Sequence, residues 1–170
     1  MKTLRSILVP IDGSPPSLAA LDHALTLADD YGARIELLNV MQPRDRLGPA
    51  ARDEIELALD DAYRHAKRVL GDRLSAQSVV GDALREIIDR SHDDIDLVVM
   101  GTHGRVGRLH SMLGSVAEGV VRNAPCPVLT VRDQSPGYQS FAERRHGRPS
   151  LAEQAHRSEP GEAHAHHRGR

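Results

Sequence analysis

Residues 6–14 read Ser-Ile-Leu-Val-Pro-Ile-Asp-Gly-Ser, and the fold turns on how this stretch is understood. Ser6 to Ile11 is a continuous apolar run, short and rich in branched side chains, that stops at Asp12-Gly13. A run of that length with no polar alternation reads as a strand buried on both faces, and Asp-Gly reads as the turn that ends it. Pro10 has no N–H to give to a ladder, so it belongs at the strand's exit. Ser14 then precedes Pro15 and Pro16. Serine at the N-cap with proline at the first helical position starts a helix, because proline's fixed φ suits that position and its missing N–H is no loss there. Leu18, Leu21, Leu25 and Ala28 recur at helical spacing, and Gly32 closes the element.

Working outward, the same alternation continues. Ala33 to Val40 is a second strand, and Met41 to Pro49 a polar loop. Ile55, Leu59, Ala62, Ala66 and Val69 mark one face of a second helix, closed by Gly71. Leu74 to Val80 is a weaker strand, and Gly81-Asp82 caps a third helix carrying Leu84, Ile87 and Ile88. Asp96 to Met100 is another buried strand, and Gly101 to Leu113 a glycine-rich loop. Gly114-Ser115 opens a fourth helix with Val116, Val120 and Val121 facing inward, and Pro127 to Arg132 is a last strand. Strands and helices in strict alternation, with near-continuous apolar strands, predict an α/β protein: an open parallel sheet with helices on both faces. In such sheets ligands bind beyond the C-terminal strand ends, where the strand order reverses. The loops after the first, second and fourth strands are therefore where chemistry is expected.

Composition sets the limits. The chain has 170 residues, with 22 Lys+Arg against 24 Asp+Glu. That balance argues against a nucleic-acid partner, which calls for a positive excess. Aromatic residues make up 2%, too few for the stacking platforms that bind single strands. The single cysteine, Cys126, allows no intrachain disulfide and reads as a small hydrophobe rather than a nucleophile. No apolar run approaches the roughly 18 residues of a membrane span, and the N-terminus lacks the pattern of a signal peptide, so a cytoplasmic protein is expected. After Arg132 the composition changes. Residues 133–170 hold five of the ten histidines and six arginines, with only Tyr138, Phe141 and Leu151 large and apolar. Such a segment cannot bury enough apolar surface to offset its ordering entropy. Two units are expected: a folded domain over 1–132 and a disordered His/Arg-rich tail over 133–170. His164, His166 and His167 could bind zinc or nickel, but their spacing is loose and no thiolate supports them.

Gly101 to Ser115 reads Gly-Thr-His-Gly-Arg-Val-Gly-Arg-Leu-His-Ser-Met-Leu-Gly-Ser. Small residues let backbone N–H groups approach an anion, and the segment feeds a helix N-terminus whose unpaired amides and dipole favour negative charge. Ser115 adds a hydroxyl, and Arg105 and Arg108 add positive charge. The pattern points to a phosphate cradle; the plainer alternative is a glycine turn between strand and helix. The P-loop sequence, the Gly-x-Gly-x-x-Gly dinucleotide fingerprint and the Gly-x-Ser-x-Gly nucleophile elbow are all absent.

At these residues the sequence resembles the universal stress protein family. Its nucleotide motif, G-x2-G-x9-G-[ST], is met by Gly101, Gly104, Gly114 and Ser115. Ile7 to Ser14, Asp96 to Arg105 and Ala124 to Arg132 resemble the family's first, fourth and last strands with their turns. The resemblance covers about residues 1 to 132 and implies a Rossmann-like sheet of five strands in the order 3-2-1-4-5, binding ATP; a bound triphosphate usually brings a divalent ion, so Mg²⁺ is expected with it. It implies that Pro10, Ile11 and Asp12 line the nucleoside, with the Asp12 carboxylate beside a ribose hydroxyl or a metal. The Val40 backbone would read adenine, and Met100 and Gly101 would border the nucleoside. Gly104, Gly114, Ser115 and Val116 would meet phosphates, with Arg105 as a phosphate-side cation. His103 and His110 could also touch phosphates. Each assignment has a plainer reading: Val40 and Met100 as core residues, Asp12 as a turn or cap residue, His103 and His110 as surface histidines.

Three functions stay in play. The first is an ATP-binding regulator of a stress response, acting on an unknown protein partner. The second is a slow ATPase or autophosphorylating enzyme using Thr102, Ser111 or Ser115, with His103 the only nearby base and no P-loop lysine. The third is an interaction module independent of nucleotide. The resemblance also implies a homodimer through the last strand, Val128 to Arg132, which would otherwise be an unprotected sheet edge.

Overall fold

The computed structural model describes residues 4–42, 48–104 and 113–132. The first apolar run forms β1 (Ser6–Pro10), followed by α1 (Pro15–Tyr31), β2 (Arg34–Met41) and α2 (Pro49–Leu70). A 3-10 turn at Gly71–Arg73 leads into β3 (Leu74–Val80), α3 (Ala83–Ser91), β4 (Leu97–Gly101), α4 (Ser115–Asn123) and β5 (Val128–Val131). The strands make one sheet in the order β3-β2-β1-β4-β5, with every pair parallel. This is the expected Rossmann-like α/β architecture. The chain steps outward from β1 to β3, then crosses back to β4. With right-handed crossovers, that reversal puts the helices of the two halves on opposite faces of the sheet.

β1 is central and all five of its residues are buried. Ile7 lies opposite Ile35 of β2 and Leu97 of β4. Because side chains alternate along a strand, Ile7 and Val9 enter the layer shared with Leu21 and Leu25 of α1 and Ala62 and Ala66 of α2. Leu8 enters the other layer, with Ile87 of α3 and Ala117 and Val120 of α4. β3 forms one edge and is mostly exposed, which is why its sequence reads as a weaker strand.

Two local expectations are corrected. Val121 does not face inward; it is 47% exposed. The buried face of α4 is instead centred on Ala117 and Val120, with Leu113, Val116 and Ala124 packed beside them, and Val121 lies one step of the helix beyond it. Ser14 occupies the N-cap of α1, yet its side chain makes no cap hydrogen bond. Its hydroxyl turns back to Asp12 Oδ1 at 2.6 Å. Asp82 does cap, accepting from the Arg85 amide at 3.0 Å.

Two arginines brace the layers. Arg73 Nη1 donates to both the Ala28 and Ala33 carbonyls at 2.9 Å, tying the end of α1 to the start of β2. Arg90 of α3 makes a two-pronged bond to the Glu36 carboxylate on β2 and a second contact to Asp93 Oδ2 at 3.1 Å. The Glu36 hydrogen bond, outweighing partial burial, raises Arg90 above its ordinary value. Replacing Arg73 by Met keeps the apolar stem and removes the charged donor from both carbonyls. We expect a loss of about 1–3 kcal/mol in urea unfolding. An unchanged midpoint would show that the brace contributes nothing.

Candidate functional site

The loops that follow β1 and β4 leave the sheet side by side, because the strand order reverses between those two strands. Connections that depart to opposite faces open a crevice at such a point. On the β1 side, Ile11 N–H donates to the Leu38 carbonyl at 2.9 Å, carrying the ladder one residue past Pro10. Asn39 Nδ2 donates to the Ile11 carbonyl at 2.9 Å. The chain then turns through Asp12 and Gly13, the glycine at a φ of 79° that side chains resist. Asp12 N–H donates to Ser17 Oγ at 3.3 Å, and Ser17 Oγ donates to the Ser14 carbonyl at 2.9 Å. Asp12 Oδ1 accepts from Ser14 N–H at 3.0 Å as well as from the Ser14 hydroxyl. Asp12 is thus the hub of a compact polar turn.

On the β4 side, Thr102 N–H donates to the Val131 carbonyl, and the Thr102 carbonyl accepts from Gly114 N–H, both at 2.8 Å. Buried Thr102 therefore ties the end of β4 both to β5 and to the residue that caps α4. His103 Nδ1 lies 3.2 Å from Thr102 Oγ1. Gly114 is the N-cap of α4. The first intrahelical bond runs from Glu118 N–H to the Gly114 carbonyl at 2.9 Å, so the amides of residues 115–117 precede it and give this end its affinity for negative charge.

The three glycines of the motif meet different surroundings. A Cβ on Gly101 would lie 2.8 Å from the Pro16 carbonyl carbon and 2.9 Å from Ser17 N, so this glycine lets β4 pack on the first turn of α1. A Cβ on Gly114 would lie 3.3 Å from the Thr102 carbonyl oxygen. On Gly104 it would lie 2.8 Å from Asp12 Oδ2.

Most residues singled out in the sequence converge here. Pro10 and Ile11 are buried beneath the Asp12 turn, and Asp12 and Gly104 abut across the crevice. Gly101 sits under α1, and Gly114, the exposed Ser115 and the half-buried Val116 begin α4. Met100 and Val40 lie at the ends of their strands with their side chains in the core layer of α3 and α4, which leaves their backbones for any contact with a ligand. Arg105, with Arg108, His110 and Ser111, lies outside the described residues, as does the segment 133–170. Cys126 is half-buried against the same core layer and lines a cavity of about 460 Å³ with Leu4, Ile95 and Asp96. It takes no part in the crevice. Sequence reading missed Ser17 and Asn39. Their signal was a polar side chain where the pattern asks for an apolar one, at the start of a buried helix face and near the end of a buried strand.

A doubly wound parallel sheet with a glycine-lined crevice at its order reversal defines the class of protein. The model of the universal stress protein family matches residues 3–132, and the chain belongs to that family. The universal stress protein MJ0531 of Methanocaldococcus jannaschii is 32% identical over 139 residues, covering 75% of this chain and 82% of its own. A family member of known structure from Burkholderia pseudomallei is 31% identical, with a TM-score of 0.57 over 77% of this chain and 98% of its own. A universal stress protein solved in complex with cAMP is 25% identical, with a TM-score of 0.62 over 78% of this chain and all of its own (100%).

The close approach at Gly101 is open to a direct test. Gly101→Ala forces a Cβ against backbone atoms of α1 that cannot step aside, and should cost about 1–3 kcal/mol. Thermal unfolding reads this. A melting temperature equal to that of the parent chain would show that β4 and α1 are not in the described contact.

Proposed function

We propose that this chain is an ATP-binding regulator of a stress response, holding the nucleotide in the crevice between the Asp12 turn and the start of α4. The observation that carries the reading is the meeting of the two loops: the Asp12 carboxylate on one side, and on the other a glycine segment ending at a helix N-terminus. A nucleoside hydroxyl is a donor suited to a fixed carboxylate, and phosphates are suited to the amides of residues 115–117. Family membership supports the reading, as does the relative solved with cAMP. Pro10, Ile11, Val40, Met100 and Gly101 would border the nucleoside. Gly114, Ser115 and Val116, with Arg105, would serve the phosphates. Among the described residues no three metal-ligating side chains cluster. A Mg²⁺ arriving with ATP would therefore draw most of its ligands from phosphate oxygens and water. The nucleotide acts by stabilising whichever conformer, or partner-bound form, it binds better.

The cell compartment we assign is the cytoplasm; no helix among the described residues is long and apolar enough to cross a membrane. The homodimer belongs to the same proposal. β5 is a sheet edge, and the apolar side chain of Leu129 on it stands 38% exposed. Pairing two such edges would satisfy their backbone groups and give each Leu129 an apolar neighbour.

Two outcomes are expected. Calorimetry on protein stripped of carried-over nucleotide shows Mg-ATP binding, weakened at least tenfold in Gly114→Val. Unaltered affinity in that variant would remove the cradle from the account. Sedimentation shows a dimer that Leu129→Glu converts to monomer, and a parent chain monomeric at micromolar concentration would exclude pairing through β5.

A further inference from the structure

The family resemblance puts Gly104, like Gly114, among the phosphate-binding positions. The surroundings of Gly104 suggest otherwise. Among the described residues the glycines with positive φ are Gly13, Gly32 and Gly71; Gly104 is not one of them, so its backbone does not itself demand glycine. Among the described residues, and leaving aside its chain neighbours, only Asp12 atoms lie within 4 Å of where a Cβ would sit: Oδ2 at 2.8 Å and Cγ at 4.0 Å. A carboxylate on a loose side chain would simply swing away from an added methyl. This one is held, because Oδ1 takes both the Ser14 amide at 3.0 Å and the Ser14 hydroxyl at 2.6 Å. Moving Oδ2 means giving up charge-assisted bonds.

We infer that Gly104 serves the nucleoside half of the site rather than the phosphate half: it is the seat of the Asp12 carboxylate, with Ser14 as the residue that positions it. The motif is then split by function. Gly101 sets the packing of β4 on α1, Gly104 leaves room for the carboxylate, and Gly114 opens α4 towards the phosphates. This inference rests on the nucleotide reading for its functional half, while its steric half stands on the geometry alone.

The experiment is a double-mutant cycle of Gly104→Ala and Asp12→Ala, read by calorimetry with adenosine and with Mg-ATP, and by melting temperature. Displacing a hydrogen-bonded carboxylate should weaken binding roughly tenfold. Gly104→Ala is therefore expected to weaken adenosine and ATP by the same factor, and to add less than about twofold once Asp12 is already Ala, since coupled residues are not additive. Gly114→Val should weaken ATP and spare adenosine. If Gly104→Ala weakens ATP and leaves adenosine untouched, or if the two substitutions multiply, the assignment is overturned. A parent chain that binds neither ligand overturns the nucleotide reading and the functional half with it. The melting temperatures then decide the steric half: a drop in Gly104→Ala that Asp12→Ala abolishes supports it, and an equal drop in both backgrounds refutes it. If Gly104→Ala alone does not fold, recovery of folding in the double variant supports the seat, and failure to recover refutes it.

Discussion

The burial of β1, hydrogen-bonded on both edges and covered on both faces, is the constraint on which the rest of the molecule depends. Its five buried residues leave the strand one position in the sheet and one register with each neighbour. A slip of one residue would exchange Ile7 and Val9 with Leu8 between two separate core layers. Once β1 is fixed, so is the point where the chain leaves it. Pro10 ends the strand, Ile11 makes one more ladder bond, and Asp12 must turn at the place where the connection from β4 also departs. The crevice is thus a result of the core. No loop residue has to create it.

That origin explains why the turn at Asp12 is so heavily bonded. A carboxylate on a mobile loop would lose entropy each time it ordered. Here Ser14, Ser17 and Asn39 have already fixed the backbone and the carboxylate from three sides. On the opposite wall, Thr102 is bonded to Val131 of β5 and to Gly114 at the start of α4. Both walls are preorganised by hydrogen bonds to buried strand ends, and the glycines are small because the two walls are close.

The fold was legible because the strongest sequence signals belong to the most buried elements. The β1 run, the Leu18–Leu21–Leu25–Ala28 stripe and the closing Gly32 all carry tertiary burial directly in residue type. At the candidate site, Asp12 and the spacing of Gly101, Gly104 and Gly114 pointed to two loops that the structure sets together, with Asp12 against Gly104 and Gly114 bonded to Thr102. What the sequence hid were choices between equally suitable partners. Ser14 could bond a helix amide or the Asp12 carboxylate, and only the turn geometry decides. Val121 is as apolar as Val120, but Val120 shares the buried face with Ala117, three residues earlier, and Val121 is turned one step past it. Gly104 looks like any glycine near an anion until the carboxylate beside it is located in space. Asn39 and Ser17 act on backbone groups brought together by strand pairing and the turn, which no periodicity encodes.

The central claim is that the two walls at the order reversal receive one nucleotide. Amide chemical shifts of the labelled protein, followed through a titration with Mg-ATP, test it most directly. The account predicts shifts concentrated at Asp12 to Ser14, at Gly101 to Gly104 and at Ser115 and Val116, with β3 and the opposite end of the sheet unmoved. Saturating shifts centred elsewhere, or a spectrum that ATP leaves unchanged, would contradict it.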